Sequence, residues 1–134
     1  MFVLEDVDKQ VLRNPQKYII DKGGYVFFAH HKEHGIVGTC ALLHSGERHF
    51  ELTKMGVEPH VRGENIGEQL LLHVINFALS IPAQTLYLLT NKKCEAAIHL
   101  YQKHGFVHDA DIMQKYGNNY ARCNVAMRYK CHRL

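Results

Sequence analysis

One junction constrains this chain more than any other stretch. Residues 57–75 read VEPHVRGENIGEQLLLHVI: an apolar strand stops at Val57, an amphipathic helix begins near Ile66, and Arg62-Gly63-Glu64-Asn65-Ile66-Gly67 lies between them. A helix entered this way leaves its first backbone N–H groups without intrahelical partners, and its dipole adds partial positive charge. Such an end suits a phosphate or pyrophosphate. Gly63 and Gly67 carry no side chain to obstruct a ligand, and Arg62 adds a charged donor. Two phosphate-binding patterns fail on spacing. No Lys-Ser/Thr follows Gly67, as a nucleotide-hydrolysing P-loop requires, and the first glycine of GxGxxG is absent. On this segment alone, a glycine-containing loop with no ligand stays open beside the anion site.

The flanking patterns give the elements. Residues 4–20 read as a helix with Leu4, Val7, Val11 and Leu12 on one side, interrupted by Asn14-Pro15, and Gly23-Gly24 breaks the chain. Tyr25–His30 and Ile36–Leu43 are aromatic and β-branched runs around HKEHG, which predicts a β-hairpin. A turn is expected at Ser45-Gly46 and a third strand over His49–Val57. Ile66, Leu70, Val74, Phe77 and Ile81 recur at helical spacing, so a helix is expected over Ile66–Ser80, ended by Pro82. A short strand follows over Thr85–Leu89, then a helix over Lys93–His104 stopped by Gly105, then strands from Phe106 onward and over Ala121–Tyr129. The order helix, β, β, β, helix, β, helix, β, β predicts a mixed α/β (α+β) domain. Parallel pairing is expected in the middle of the sheet, antiparallel edges outside it, and helices on both faces.

Composition narrows the classes. The chain has 134 residues, enough for a single domain with its own core, and its 46% hydrophobic and 22% charged content is that of a globular protein. No apolar run reaches the roughly 20 residues of a membrane-spanning helix. MFVLEDVDKQ lacks the basic-then-apolar pattern of a secretory signal, so a cytoplasmic protein is expected. A dispersed net charge of +3 gives no ground for nucleic-acid binding. Cys40, Cys94, Cys123 and Cys131 form no CxxC pair and are expected to be free thiols. His30, His31 and His34 cluster in AHHKEHGIVG, but adjacent strand residues point to opposite faces, so a solvated turn is expected and no metal site.

Two stretches together resemble a known family. V-x-P-x-x-R-G-x-x-I-G-x-x-L, residues 57–70, resembles the acyl-CoA-binding motif of the GNAT superfamily of N-acetyltransferases. LLTNKKCEAAIHLYQKHGFV resembles that superfamily's second motif, with Asn91, Ala97, Leu100, Tyr101, Gly105 and Phe106 matching in order. One helix and one strand separate the motifs, as in the family, and the resemblance spans about residues 25–129. It departs at the start: family members usually open with a strand and a helix ahead of the helix read at 4–20. The first strand and helix are therefore expected to be missing, leaving an N-terminally short domain over 1–134 whose acceptor pocket is incomplete or completed by another chain. Gly56 also stands where alanine is more usual, and Cys94 where leucine is common.

The resemblance implies a GNAT fold, with a mostly antiparallel mixed sheet splayed at the site of acetyl-CoA, and an acetyl-CoA-dependent N-acetyltransferase acting on a primary amine of a small molecule or protein. It places the CoA pyrophosphate on the amides of Arg62, Gly63, Glu64, Asn65, Ile66, Gly67 and Glu68. The pantetheine arm would pair with backbone groups of Met55, Gly56 and Val57, faced from the other side by Asn91 and Ala97. Tyr101 matches the family's general acid, and Glu51 occupies the position of the catalytic glutamate in histone-type members, with a structural glutamate as the competing reading. His49 and His73 are weaker candidates for the base. No metal is implied. The alternative is a non-catalytic acyl-CoA-binding or regulatory module of the same fold. Sheet edges at both ends favour a homodimer.

Overall fold

The computed structural model describes residues 23–46, 48–59, 65–81, 83–119 and 122–130. The helix expected at 4–20, the core of the phosphate loop (Arg62, Gly63, Glu64), Pro82, Ala121 and Cys131 lie outside the described residues. Ten elements follow in order: β1 Tyr25–His31, β2 Gly35–Gly46, β3 His49–Val57, α1 Ile66–Ser80, β4 Thr85–Thr90, α2 Glu95–Lys103, β5 Phe106–His108, α3 Ala110–Tyr116, a 3-10 turn Gly117–Asn119, and β6 Val125–Tyr129. The six strands form one sheet in the order β1-β2-β3-β4-β6-β5. Among the described strands only β3 and β4 pair in parallel; every other neighbour is antiparallel. The expected mixed, mostly antiparallel sheet is therefore present.

Alternation along the strands sets the layers. Leu86 and Leu88 of β4, with Val125 and Met127 of β6, join the main core, which also contains Phe50 and Leu52 of β3 and Leu71, Val74 and Ala78 of α1. Tyr101 of α2 belongs to this same core. Tyr87 of β4 and Ala126 of β6 point the other way and pack with Ile112 and Tyr116 of α3. Helices thus cover both faces, α1 and α2 on one and α3 on the other.

Several sequence expectations need correction. Ser45-Gly46 is not a turn: β2 runs through Gly46, which pairs with His49. The last strand begins at Val125, and α2 runs from Glu95 to Lys103 with Cys94 and His104 as its caps. Gly105 follows with φ +105°, and a Cβ there would meet Tyr129 Cε1 at 3.0 Å, so glycine is required by both conformation and space. The stretch from Phe106 holds only three strand residues before α3 begins.

A capping signal announces α3. The Asp109 side chain accepts the Ile112 N–H at 3.0 Å, and its other oxygen accepts Arg128 Nε at 2.8 Å. The Arg128 guanidinium, and after it the Ile112 amide, hold the Asp109 carboxyl below the usual carboxylate range. Asp109→Ala is expected to cost about 1 kcal/mol, the usual worth of an N-cap. Because the folded carboxyl titrates low, this contribution is present above the unfolded carboxyl's pKa of about 4 and is lost as pH falls through the folded value. Urea midpoints of variant and native protein should differ at neutral pH and converge in acid. A constant gap would contradict the role of the ionised cap.

Candidate active site

The site is built where the sheet comes apart. β3 and β4 pair only at His49↔Thr85, Phe50↔Leu86 and Glu51↔Tyr87. Beyond that vertex, β3 continues to Val57 alongside β2, while β4 continues to Thr90 alongside β6. The facing edges of Leu52–Val57 and Leu88–Thr90 therefore line a wedge of backbone groups not joined to each other. Its open end lies where β3 leads to α1.

A bulge reshapes the β3 edge. Thr39 pairs with Gly56 and Ala41 with Thr53, so Lys54 and Met55 together oppose Cys40. Lys54 adopts φ 57°, sparsely populated by residues other than glycine, and its carbonyl accepts the Thr39 hydroxyl at 3.1 Å. The extra residue shifts the alternation. Phe50 and Leu52 face the main core, and beyond the bulge Met55 does, a parity that uninterrupted pairing would have given to Lys54. Sequence reasoning missed this bulge, although the change of phase from Phe50 and Leu52 to Met55 and Val57 was its signal.

At the open end, Asn65 caps α1 in the left-handed conformation, φ 59° and ψ 27°, and its side chain bonds none of the helix amides. The first turn therefore keeps the outward-pointing N–H groups on which the anion reading relies. Among the described residues, a Cβ at Gly67 would meet only Val57 Cγ2, at an ordinary contact distance of 3.5 Å. The side chain of Glu68 is otherwise engaged: its Oε2 accepts Lys103 Nζ at 2.8 Å and lies 2.6 Å from His104 Nε2, both from the end of α2. These partners, Lys103 first, hold its carboxyl below the ordinary range. Any part Glu68 takes in holding an anion falls to its amide.

The opposite wall is set by Asn91. Its oxygen accepts the Lys93 N–H at 2.9 Å, its amide donates to the Arg122 carbonyl at 2.7 Å, and its own carbonyl accepts the Cys94 N–H at 2.8 Å. Asn91 thus ties β4, the start of α2 and the segment before β6 together. Ala97 and Tyr101, one helical turn apart, both face the main core. Tyr101 is 8% exposed, its ring meets Phe106 edge-on at 5.8 Å, and its hydroxyl has no hydrogen-bond partner among the described residues. Burial, reinforced by Cys40 and then Cys94 nearby, pushes the phenol up to about 12. It stays protonated at any physiological pH.

Glu51 sits at the vertex, 3% exposed, and accepts Tyr87 Oη at 3.4 Å. Its face is the α3 face, so the structure puts Glu51 and Tyr101 on opposite faces of the sheet, with the wedge between those faces. His49 shares the Glu51 side, and its buried Nδ1 has no partner among the described residues. His73 is distant from the wedge in role: it stacks edge-on with Phe27 at 5.7 Å and lines a separate cavity of about 830 Å³ between the hairpin and α1, together with His31 and His34. Among the described residues no group of three His, Cys, Asp or Glu is placed to hold a metal ion. Cys40, Cys94 and Cys123 are free thiols, as expected. No helix among the described residues is long and apolar enough to cross a membrane.

A mixed sheet parted between its two parallel strands, with a helix N-terminus at the mouth, defines an α/β domain with an open cleft in its sheet. The chain matches the family model for the acetyltransferase (GNAT) domain over residues 22–108, and it belongs to that family. An acetyltransferase of the GNAT family from Staphylococcus aureus Mu50 is similar in structure, with 25% identity, a TM-score of 0.80, and 93% of this chain and 79% of that one covered. An acetyltransferase from Streptococcus agalactiae 2603 shares the fold at 19% identity and TM-score 0.78, covering 96% and 79%. So does a Bacillus subtilis acetyltransferase in complex with CoA, at 20% identity and TM-score 0.70, covering 98% and 95%. No curated protein sequence matches the chain.

Proposed function

We propose that this chain transfers the acetyl group of acetyl-CoA to a primary amine. The observation that carries the reading is the wedge: strand edges parted beyond Glu51↔Tyr87, opening onto an α1 N-terminus whose cap leaves its amides free of a side-chain bond. The Bacillus subtilis structure, which shares the fold, holds CoA. The residues present fit such a ligand. Among the described residues nothing but Val57 at ordinary contact distance crowds Gly67, so a pyrophosphate would find space above its Cα. Arg62, Gly63, Glu64, Asn65, Ile66 and Glu68 would supply charge and amides around it, and the edge at Met55, Gly56 and Val57 would bond the pantetheine amides across from Asn91 and Ala97.

Each proton has a group to handle it. An alkylammonium has a pKa of about 10.4 and must lose a proton before its nitrogen can attack. Glu51 would take that proton directly or through water. The nitrogen–carbon bond forms, the carbon–sulfur bond breaks, and Tyr101 would donate to the departing sulfur. A backbone N–H beside the bulge would hold the carbonyl oxygen as negative charge develops on it.

The decisive measurement is release of CoA from acetyl-CoA in the presence of phenethylamine, putrescine and a lysine-containing peptide. Turnover with any of them is expected. CoA binding without turnover on any amine would instead favour a non-catalytic binding module. Gly67→Ala tests the pyrophosphate site separately. The change replaces a glycine in the first turn of α1 and should leave stability within about 1 kcal/mol of native, the ceiling set by an interior Gly-to-Ala change. It should also weaken CoA binding, read by calorimetry, about tenfold. Unchanged CoA affinity would contradict the placement.

A further inference from the structure

The vertex of the wedge holds a polar group that the reaction outlined above leaves unused. Tyr87 is fully buried, yet it directs its hydroxyl at Glu51, its register partner across the parallel β3–β4 pairing. The ring cannot swing: Tyr116 of α3 stacks on it at 4.4 Å between centroids and 9° between planes. Ser45, at the end of β2, lies beside the same phenol and works to lower it against the effect of burial. Ser45 is exposed and also donates to the His49 carbonyl at 3.2 Å. A carboxylate at the vertex, the phenol that donates to it and an exposed serine beside that phenol thus lie on the face opposite Tyr101.

We propose that Tyr87 is a positioning residue for the general base: it fixes the Glu51 carboxylate and relays the proton that Glu51 collects to Ser45 and water. The role rests on the reading of Glu51 as the base. The steps balance. The amine N–H bond breaks and a Glu51 oxygen takes the proton. Glu51 then donates to the Tyr87 oxygen as the Tyr87 proton passes to Ser45, whose own proton leaves to water. Rotation of the hydroxyls restores the starting arrangement. The 3.4 Å separation of Tyr87 and Glu51 is long, as hydrogen bonds at a site without its substrate often are. Burial raises the phenol above its ordinary value, so Tyr87 relays as a neutral group and does not ionise itself. The other titratable groups around the pair are Tyr116 on α3, Cys123 ahead of β6, and His49 on the same strand as Glu51. Cys123 is itself raised, chiefly by burial and also by Glu51, and remains a thiol.

Tyr87→Phe removes the hydroxyl and keeps the ring stacked on Tyr116. With phenethylamine, putrescine and the lysine-containing peptide as acceptors, kcat should fall about tenfold and the KM for acetyl-CoA should stay within about twofold. The acid limb of kcat/KM should move to higher pH, because the carboxylate loses a donor that favours its charged form. Titration of the isotopically labelled Glu51 carboxyl by NMR, which needs no acceptor, should show the same upward movement. A titration and a pH profile that superimpose on those of the native protein would overturn the role. Glu51→Gln separates the two claims. If it is inactive while Tyr87→Phe behaves as native, only the positioning role falls. If Glu51→Gln turns over at the native rate, the base assignment falls and the role of Tyr87 with it. Should Tyr87→Phe fail to fold, the surface change Ser45→Ala carries the test: kcat is expected to drop severalfold with the acid limb unmoved, and an unchanged kcat would refute the relay.

Discussion

Tyr101→Phe is expected to lower kcat about 100-fold, the low end of what a positioned general acid contributes, with acetyl-CoA affinity within about twofold of native. The hydroxyl is the only atom lost, and the ring keeps its edge-on contact with Phe106. The phenol sits up to about 12, well above a thiol near 8.5, so in the proposed reaction it acts chiefly as a fixed donor to the sulfur while negative charge builds there. Two pH signatures follow. Activity should show no limb belonging to this tyrosine below about pH 10. The folded state keeps the phenol's proton where the unfolded chain gives it up, so the associated stability is complete below about pH 10 and is lost as pH rises towards the folded value. Stopped-flow release of CoA and alkaline unfolding, each compared with Tyr101→Phe, would check both. An unchanged kcat would remove Tyr101 from the reaction.

Phe106→Ala is expected to be the most damaging single change to the fold, at about 3–5 kcal/mol. Phe106 is 1% exposed and sits between two rings, Tyr101 at 5.8 Å and Tyr129 at 5.4 Å, both edge-on. Truncation removes the burial of a large side chain, leaves a cavity, and deletes two aromatic contacts worth about 0.5–1.5 kcal/mol each. It also frees one wall of the Tyr101 ring, so activity measured well below the melting temperature should fall too. Denaturant midpoints give the first effect and kcat the second. A loss under about 1 kcal/mol would mean that β5 contributes far less than its burial implies.

The contrast between legible and illegible features follows the range of the interactions. β3 and α1 could be bounded to the residue because their signals are local: apolar alternation in HFELTKMGV, and three-and-four spacing from Ile66 to Ile81. The hairpin was legible for the same reason. α3 was missed because seven residues make under two turns, too few for periodicity to outweigh the aromatic, branched look of Phe106-Val107. Its Asp109 cap and Lys115 in the last turn were visible but went unused. The bulge at Lys54 was legible only as a slip in phase. The Tyr87–Glu51 contact could not be read at all, since it depends on the register of two strands separated by α1. Asn91 was read as a wall of the cofactor cleft; its bond to the segment before β6 could not be read, because only the folded chain supplies that partner.

The narrowness of the parallel seam has a consequence for mechanics. Three residue pairs between β3 and β4 are all that join the two halves of the sheet, with three strands on each side. Any shearing of one half against the other would concentrate along that line. A molecule lying in the gap and bonding both edges would stitch the halves together, and mass action sets how much that is worth: about 2.7 kcal/mol at a hundredfold excess over its dissociation constant. With such a molecule in the gap, the ligand-free protein would be the softer form, and part of the sheet's resistance to unfolding would come from what lies between its halves.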